Sequence, residues 1–259
     1  MELRTEIFEK NKFVEGRILS KKIICEDIAI FDILLEKQLN ARPGQFIMLW
    51  IPGFGERPFS PTKTGKIMQL AVKKRGVFTK KLFGLEKRAY VGVRGPYGKP
   101  FKTKNVKSAC IIAAGIGIAA LVRLAEELAF LGADVDLIYS AKKFKQMVFL
   151  QRLNRVCKVR KIQEKKCEKT LSTLKDLAKT KNYDYVYCCG PEPFMAVVSK
   201  ECKSLGLKAQ FSLEKRIKCA LGICGCCAVG TKLLCKDGPV FSGKIAEKFL
   251  SEGIYEKES

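Results

Sequence analysis

The chain has 259 residues, 47% of them hydrophobic and 29% charged, which is the make-up of a globular protein long enough for two ordinary domains and excludes a disordered one. Its formal charge is +23 and it contains no histidine, which excludes Ser-His-Asp and Cys-His nucleophile schemes, histidine-held zinc or haem, and Rieske-type clusters. Redox chemistry in such a chain has to come from cysteine-ligated metal or from organic cofactors.

The lysines lie in scattered pairs, such as Lys21-Lys22, Lys73-Lys74, Lys80-Lys81 and Lys142-Lys143, without one long basic tract. That texture fits a diffusely basic surface facing anionic cofactors or an acidic partner subunit, and no nucleic acid is expected. No apolar run approaches the roughly 20 residues that span a bilayer. The opening segment MELRTEIFEKNKF carries acids and lacks the apolar centre of a signal peptide. With twelve cysteines in no secretory context, the expected place is the reducing cytoplasm, away from membranes.

From Lys12 to about Phe101 the chain runs in short apolar or alternating segments rich in Val, Ile and Phe, namely FVEGRILSKKIICEDIAIFDILL, GQFIMLWIP, IMQLAVKK and YVGVRGPYG. Gly and Pro stand at the joints, so the spacing predicts a small antiparallel barrel, with one helix around Phe78 to Lys87. Arg57-Pro58-Phe59-Ser60 follows a strand and a Gly-containing turn. An Arg fork beside a hydroxyl suits a pyrophosphate and the aromatic suits a ring system, although a solvated arginine at a strand start has the same spelling. Lys73-Lys74-Arg75-Gly76-Val77-Phe78-Thr79 closes a strand and opens the helix, where free N–H groups receive phosphate, or where a plain basic turn stands.

After Gly95-Pro96-Tyr97-Gly98 apolar runs alternate with amphipathic helices, a parallel α/β signature. Strands are expected at Ser108–Ala114, Asp134–Ser140, Lys158–Ile162, Asp184–Cys189 and Ala209–Leu213, and helices at about 118–131, 143–153, 171–180 and 193–205. The first strand-to-helix turn reads Gly115-Ile116-Gly117-Ile118-Ala119-Ala120, a G-x-G-x-x-A that lets a dinucleotide pyrophosphate reach backbone at a helix start. Ser140-Ala141-Lys142-Lys143 ends the second strand without an acid for a ribose hydroxyl, which leaves NAD and NADP both open. Cys188-Cys189-Gly190-Pro191-Glu192-Pro193 ends a later parallel strand, the edge where such sheets bind ligands, and equally spells a buried Cys pair before a helix.

Residues 219–235 read CALGICGCCAVGTKLLC. Cys219, Cys224, Cys227 and Cys235 fit C-x4-C-x2-C with a later C, the ligand spacing of a plant-type [2Fe–2S] cluster, with Cys226 left over. Ala220, Gly222 and Gly225 are small enough for backbone N–H groups to wrap the sulfides. A zinc site is the weaker alternative, because only Cys224/Cys227 makes a C-x2-C knuckle, and a disulfide framework weaker still.

In this order the segments Arg57-Pro58-Phe59-Ser60, Gly76 with Thr79, Gly95-Pro96-Tyr97-Gly98, Ala114-Gly115-Ile116-Gly117, Cys189-Gly190-Pro191 and the Cys loop resemble the ferredoxin–NADP reductase superfamily with a C-terminal [2Fe–2S] domain. Ser212-Leu213-Glu214 ahead of Cys219, and Asp237-Gly238-Pro239-Val240-Phe241 after Cys235, look like the cluster segment of electron-transfer subunits of dihydroorotate dehydrogenase B. The chain departs from that pattern with Ala114 and Ala220 where a Gly is usual, Ala120 for Pro and Phe194 for Met, and no departure removes a chemical group. The resemblance implies a β-barrel FAD domain over 1–101, a parallel α/β nucleotide domain over 102–207 and a small cluster domain over 208–259. It implies FAD on Arg57, Pro58, Phe59, Ser60, Lys73, Gly76 and Thr79, and a nicotinamide nucleotide across Gly115, Gly117, Cys189, Gly190 and Pro191. It further implies electron transfer from a separate flavin-containing dihydroorotate dehydrogenase catalytic subunit, in a hetero-oligomer serving pyrimidine synthesis, with no acid or base supplied by this chain. The alternative keeps the cofactors and changes the partner to a hydrogenase, sulfur reductase or ferredoxin:NADP oxidoreductase complex.

Overall fold

A twelve-residue strand that alternates buried and exposed side chains can bury one face only by pairing with others. In the computed structural model, which describes residues 11–251, β1 (Val14–Cys25) and β2 (Ile28–Leu39) do so as a long antiparallel hairpin, Gly16 opposite Leu35 and Cys25 opposite Ile28. Residues 1–10 of the opening segment read above for a leader lie outside the described residues. β3 (Phe46–Ile51), β4 (Gly55–Phe59), β5 (Pro61–Lys63), β6 (Gly65–Lys73), α1 (Val77–Phe83) and β7 (Tyr90–Tyr97) complete the first half. The sheet order is β4-β3-β7-β1-β2-β6-β5. Because β4 and β5 are joined through Ser60 alone, the sheet curls until its two edges meet there, round an interior of Phe31, Ile33, Ile47, Leu49 and Val91.

The second half contains β8 (Ser108–Ala114), α2 (Ile118–Phe130), β9 (Asp134–Ala141), α3 (Leu150–Leu153), β10 (Lys158–Gln163), α4 (Glu168–Thr180), β11 (Tyr185–Cys189), α5 (Glu192–Ser204) and β12 (Ala209–Ser212). Beyond it come β13 (Ala228–Val229), β14 (Lys232–Leu233), α6 (Leu234–Asp237), β15 (Val240–Ser242) and α7 (Gly243–Ser251). The order β10-β9-β8-β11-β12-β15 is parallel up to β12, and β15 runs antiparallel at the edge. The chain winds outward from β8 to β10 and then returns to the other side of β8, so the switch point lies between β8 and β11.

The expected helix at 143–153 is broken. A single 3-10 turn at Phe144–Gln146 is followed by an extended Met147 and a left-handed Phe149 (φ 64°), and only Leu150–Leu153 is helical. Met147 and Val148 turn into the core, where the Val148 N–H donates to the Tyr139 hydroxyl at 3.1 Å, so burial overrides local helical pattern. The strand expected from Asp184 begins at Tyr185, because the Asp184 carboxylate accepts the N–H groups of Lys107 and Ser108 at 2.7 and 3.0 Å. β15 and α7 were not expected.

The halves are clamped together. Arg152 meets Glu126 with two 2.8 Å bonds and reaches across to the Thr62 carbonyl (2.9 Å) and Gln69 (3.2 Å) of the barrel. One apolar core runs from Phe46, Met48 and Tyr97 of the barrel to Val186 and Phe211 of the parallel sheet, and takes in Cys227, Leu234 and Cys235 between them.

Asp136, 2% exposed, anchors the opposite end of the sheet, accepting from Lys181 (2.8 Å), Tyr183 (2.9 Å) and Arg160. Burial by itself pushes its carboxyl up, but those donors hold it below the ordinary carboxylate range. A depressed folded pKa adds stability above the unfolded value and loses it as pH falls through the folded one. Asp136→Ala should therefore cost about 3 kcal/mol at pH 7 by urea denaturation, because it strands partly buried cations. The gap to the parent should narrow below about pH 4. A gap that widens on acidification counts against this account.

Candidate functional site

The first candidate surface is where the barrel edges meet. β4 presents Arg57, Pro58 and Phe59, the junction presents Ser60, and α1 packs its Phe78 beside them. Arg57 is exposed, donates to the Glu56 carbonyl at 2.8 Å and lies 5.7 Å from the centre of the Phe78 ring, with no acid paired to it among the described residues. Phe54 and Phe59 approach the same ring at 6.3 and 6.2 Å. A guanidinium with unused donors, beside a cluster of rings of which Phe54 is exposed, is the donor set that a dinucleotide needs, so the residues fit FAD. Gly76, the residue before α1, has open space where a side chain would stand. Thr79 shapes this turn, since its hydroxyl accepts from the N–H groups of Arg75 (2.9 Å) and Gly76 (3.1 Å) and donates to the Gly76 carbonyl (3.0 Å). Lys73 is engaged elsewhere, in an ion pair of 3.3 Å with Asp27.

The second surface is a cleft of about 470 Å³ at the carboxyl ends of β8, β9 and β11, lined among others by Gly115, Gly117, Gly190, Pro191, Lys142 and Glu214. The two glycines serve different needs. Gly115 has φ +55° with open space at its Cα, whereas a Cβ on Gly117 would lie 2.5 Å from the Cys189 carbonyl oxygen. The turn after β8 and the end of β11 therefore touch backbone to backbone at the switch point. Cys189 itself faces inward, 1% exposed, and burial pushes its thiol up. The backbone that follows it lines the cleft, and its sulfur does not. Arg75 and Glu214 also line the cleft, and surrounding protein raises the Glu214 carboxyl against the opposing pull of Arg75. Sequence reading saw Arg75 only as part of a basic turn and Glu214 only as part of a resemblance, because residues far apart in the chain meet here.

The third is the cysteine loop. Ala220 (φ 60°), Gly222 (φ 77°) and Gly225 (φ 69°) are left-handed, and this folds the backbone round the Cys219 sulfur. Burial works against ionisation there, but the N–H groups of Cys224, Leu221 (3.4 Å) and Ile223 bring the thiol down to about 6. The Cys224 side chain lowers the Cys219 thiol and the Cys227 side chain raises the Cys235 thiol, which makes these sulfurs two neighbouring pairs. The pairs are close enough that charge on Cys219 raises Cys235. Among the described residues no three His, Cys, Asp or Glu side chains converge as on a single ion. Four thiols in two neighbouring pairs, with backbone N–H groups directed at the Cys219 sulfur, fit a dinuclear cluster. Cys224 and Ile223 are exposed, while Cys227 and Cys235 are buried.

Among the described residues no helix is long and apolar enough to cross a membrane. Residues 15–101 match the oxidoreductase FAD-binding domain, and residues 214–245 match the iron–sulfur cluster binding domain of dihydroorotate dehydrogenase B. The chain is similar to the probable dihydroorotate dehydrogenase B (NAD(+)) electron transfer subunit of Methanocaldococcus jannaschii, 33% identical over 246 residues that cover 92% of this chain and 94% of the relative. The protein of the same description from Pyrococcus abyssi is 41% identical over 211 residues, 81% and 82% of the two chains. In fold it resembles a chain of the NADH-dependent reduced ferredoxin-NADP oxidoreductase, with TM-score 0.79 and 22% identity over 92% and 93% of the two chains. It also resembles the cytochrome b5 reductase domain of Ulva prolifera nitrate reductase, with TM-score 0.63 and 17% identity over 76% and 95%. A curled FAD-binding sheet, a parallel sheet with a glycine-lined cleft and a loop of paired thiols thus occur together, and the chain belongs to the family of dihydroorotate dehydrogenase B electron transfer subunits.

Proposed function

We propose that this chain passes electrons from dihydroorotate oxidation in a partner flavin subunit through a [2Fe–2S] cluster and FAD to NAD+, in pyrimidine synthesis. The observation that carries the reading is the pairing of Cys219 with Cys224 and of Cys227 with Cys235 in a loop packed on the FAD-binding barrel. The relatives' description as electron transfer subunits supports the hetero-oligomer. Twelve cysteines without a disulfide support a cytoplasmic location. The functional division is 1–101 for FAD, 102–207 for the nicotinamide nucleotide and 208–259 for the cluster.

In this reading Arg57 holds the FAD pyrophosphate by charge-assisted bonds, Ser60 adds a hydroxyl, and Pro58 and Phe59 supply apolar surface for the rings. Thr79 keeps the Gly76 turn open, and Lys73 holds Asp27 at the cleft's edge. The nucleotide enters across Gly115, Gly117, Gly190 and Pro191, with Cys189 setting their spacing from beneath. Bound flavin supplies the exchange between single electrons and a two-electron hydride. The chain positions, screens from water and balances charge, and it offers no histidine to move a proton.

Purified anaerobically, the protein should contain about two irons and one FAD per chain. Ser in place of Cys219, Cys224, Cys227 or Cys235 should each strip or destabilise the cluster by visible absorption, while Cys226→Ser should leave the spectrum in place. One equivalent of zinc without flavin absorbance would sink the reading.

Arg57→Ala should loosen FAD by roughly 10- to 150-fold in an equilibrium titration, with iron content unchanged. The isolated chain should reduce a dye with NADH yet leave dihydroorotate untouched until the partner subunit is added. Dihydroorotate turnover by this chain alone would show that the active site had been misplaced.

A further inference from the structure

Burying a guanidinium is costly unless all of its donors find partners. Arg94, on β7, is 6% exposed, in a strand whose neighbours Val91 and Val93 fill the barrel interior. Its donors are all engaged. Nε reaches Glu56 at 2.8 Å and Nη2 reaches the other oxygen of the same carboxylate. Nη1 donates to the Tyr97 hydroxyl at 2.8 Å and to the Asn11 side-chain oxygen at 3.2 Å. Both Nη1 and Nη2 reach the carbonyl oxygen of Cys219 at 3.1 Å, 125 residues away in sequence. Phe13 and Tyr97 cover its faces at 5.9 and 5.3 Å.

This fork joins two of the three sites. On one side is the backbone of the first cysteine of the cluster loop, and on the other is Glu56, next in the chain to Arg57. Only a planar group with five donors makes these contacts at once, so a lysine is a poor substitute. The order of charges matters as well. The cation touches the cysteine backbone directly through Nη1 and Nη2, while its counter-ion holds the adjacent Nε/Nη2 edge, so the positive charge is the nearer of the two to the loop. Gaining an electron makes a thiolate-held cluster more negative, and a nearby cation favours that state.

We propose that Arg94 is a positioning residue for the iron–sulfur cluster, fastening the Cys219 carbonyl to the FAD barrel and, with Glu56 as its counter-ion, setting the cluster's reduction potential. The inference rests on the ligand reading above and deepens it. The chemistry is electrostatic, and no bond is made or broken.

The test is an EPR-monitored redox titration of the full-length holoprotein, with iron and FAD assayed first, for the parent, Arg94→Met, Arg94→Lys and Glu56→Gln. Glu56→Gln leaves the Arg94 bond to Cys219 in place and removes the counter-charge. The reduced-to-oxidised ratio at the parent's midpoint should rise roughly three- to thirtyfold. Arg94→Met removes the cation and leaves the acid, so the ratio should fall by a similar factor, with Arg94→Lys between. A merely structural arginine would lower iron content in every variant and give no opposite shifts. If Arg94→Met does not retain iron, Glu56→Gln alone decides. An iron-replete Glu56→Gln whose ratio stays at or below the parent's overturns the inference. A parent without a [2Fe–2S] signal overturns the functional reading and this inference with it.

Discussion

The cysteine loop has no core of its own, and the rest of the structure is arranged to supply one. Ala220, Cys227, Val229, Leu234 and Cys235 are buried in the same apolar cluster as Phe46, Met48 and Tyr97 of the barrel and Val186 and Phe211 of the parallel sheet. A segment that orders itself this way stays folded only while both neighbours hold their relative places. The Arg152 bridge from Glu126 to Thr62 and Gln69 holds those neighbours together. β15 extends the parallel sheet beyond β12, so the chain leaving the loop is paired at once.

A second contact fixes the loop's exit. The Lys99 N–H donates to the Gly238 carbonyl at 2.5 Å, and the Leu213 N–H donates to the Pro239 carbonyl at 2.9 Å. A Cβ on Gly98 would lie 2.5 Å from the Pro239 ring, so the end of the barrel and the turn after the loop meet without space for a side chain. The glycines singled out in sequence as cofactor signals are in several cases packing glycines as well. Gly117 against Cys189 is the clearest of them, where loss of the glycine would push apart the two turns that line the cleft.

Local pattern made much of this legible. The barrel strands announce themselves by β-branched alternation, and most α/β elements lie within a few residues of expectation, as α2 and α5 do. The cysteine spacing likewise drew attention to a loop whose thiols are neighbours in space. What failed did so where a long-range contact outweighs local preference. Tyr139 and the core pull Met147 and Val148 out of a helix. β15 is three residues long and is a strand only because β12 offers it an edge. Arg94 could not be read from its neighbours, since its reason for burial lies at Glu56 and Cys219. An arginine at the buried end of the strand YVGVRGPYG was the only local sign that a partner had to exist.

The same physics sets one thiol apart in a chain with twelve. Burial raises every cysteine outside its loop, Cys157, Cys167 and Cys202 to about 12 and Cys25, Cys110, Cys188 and Cys189 likewise upward. Most of those sulfurs serve as small apolar packing, and burial raises Cys235 within the loop to about 12 as well. Cys219 differs because backbone N–H groups of its turn are directed at the sulfur and bring its thiol down to about 6. The left-handed turns at Ala220 and Gly222 fold the backbone round that sulfur, so backbone conformation, more than the number of cysteines, sets Cys219 apart.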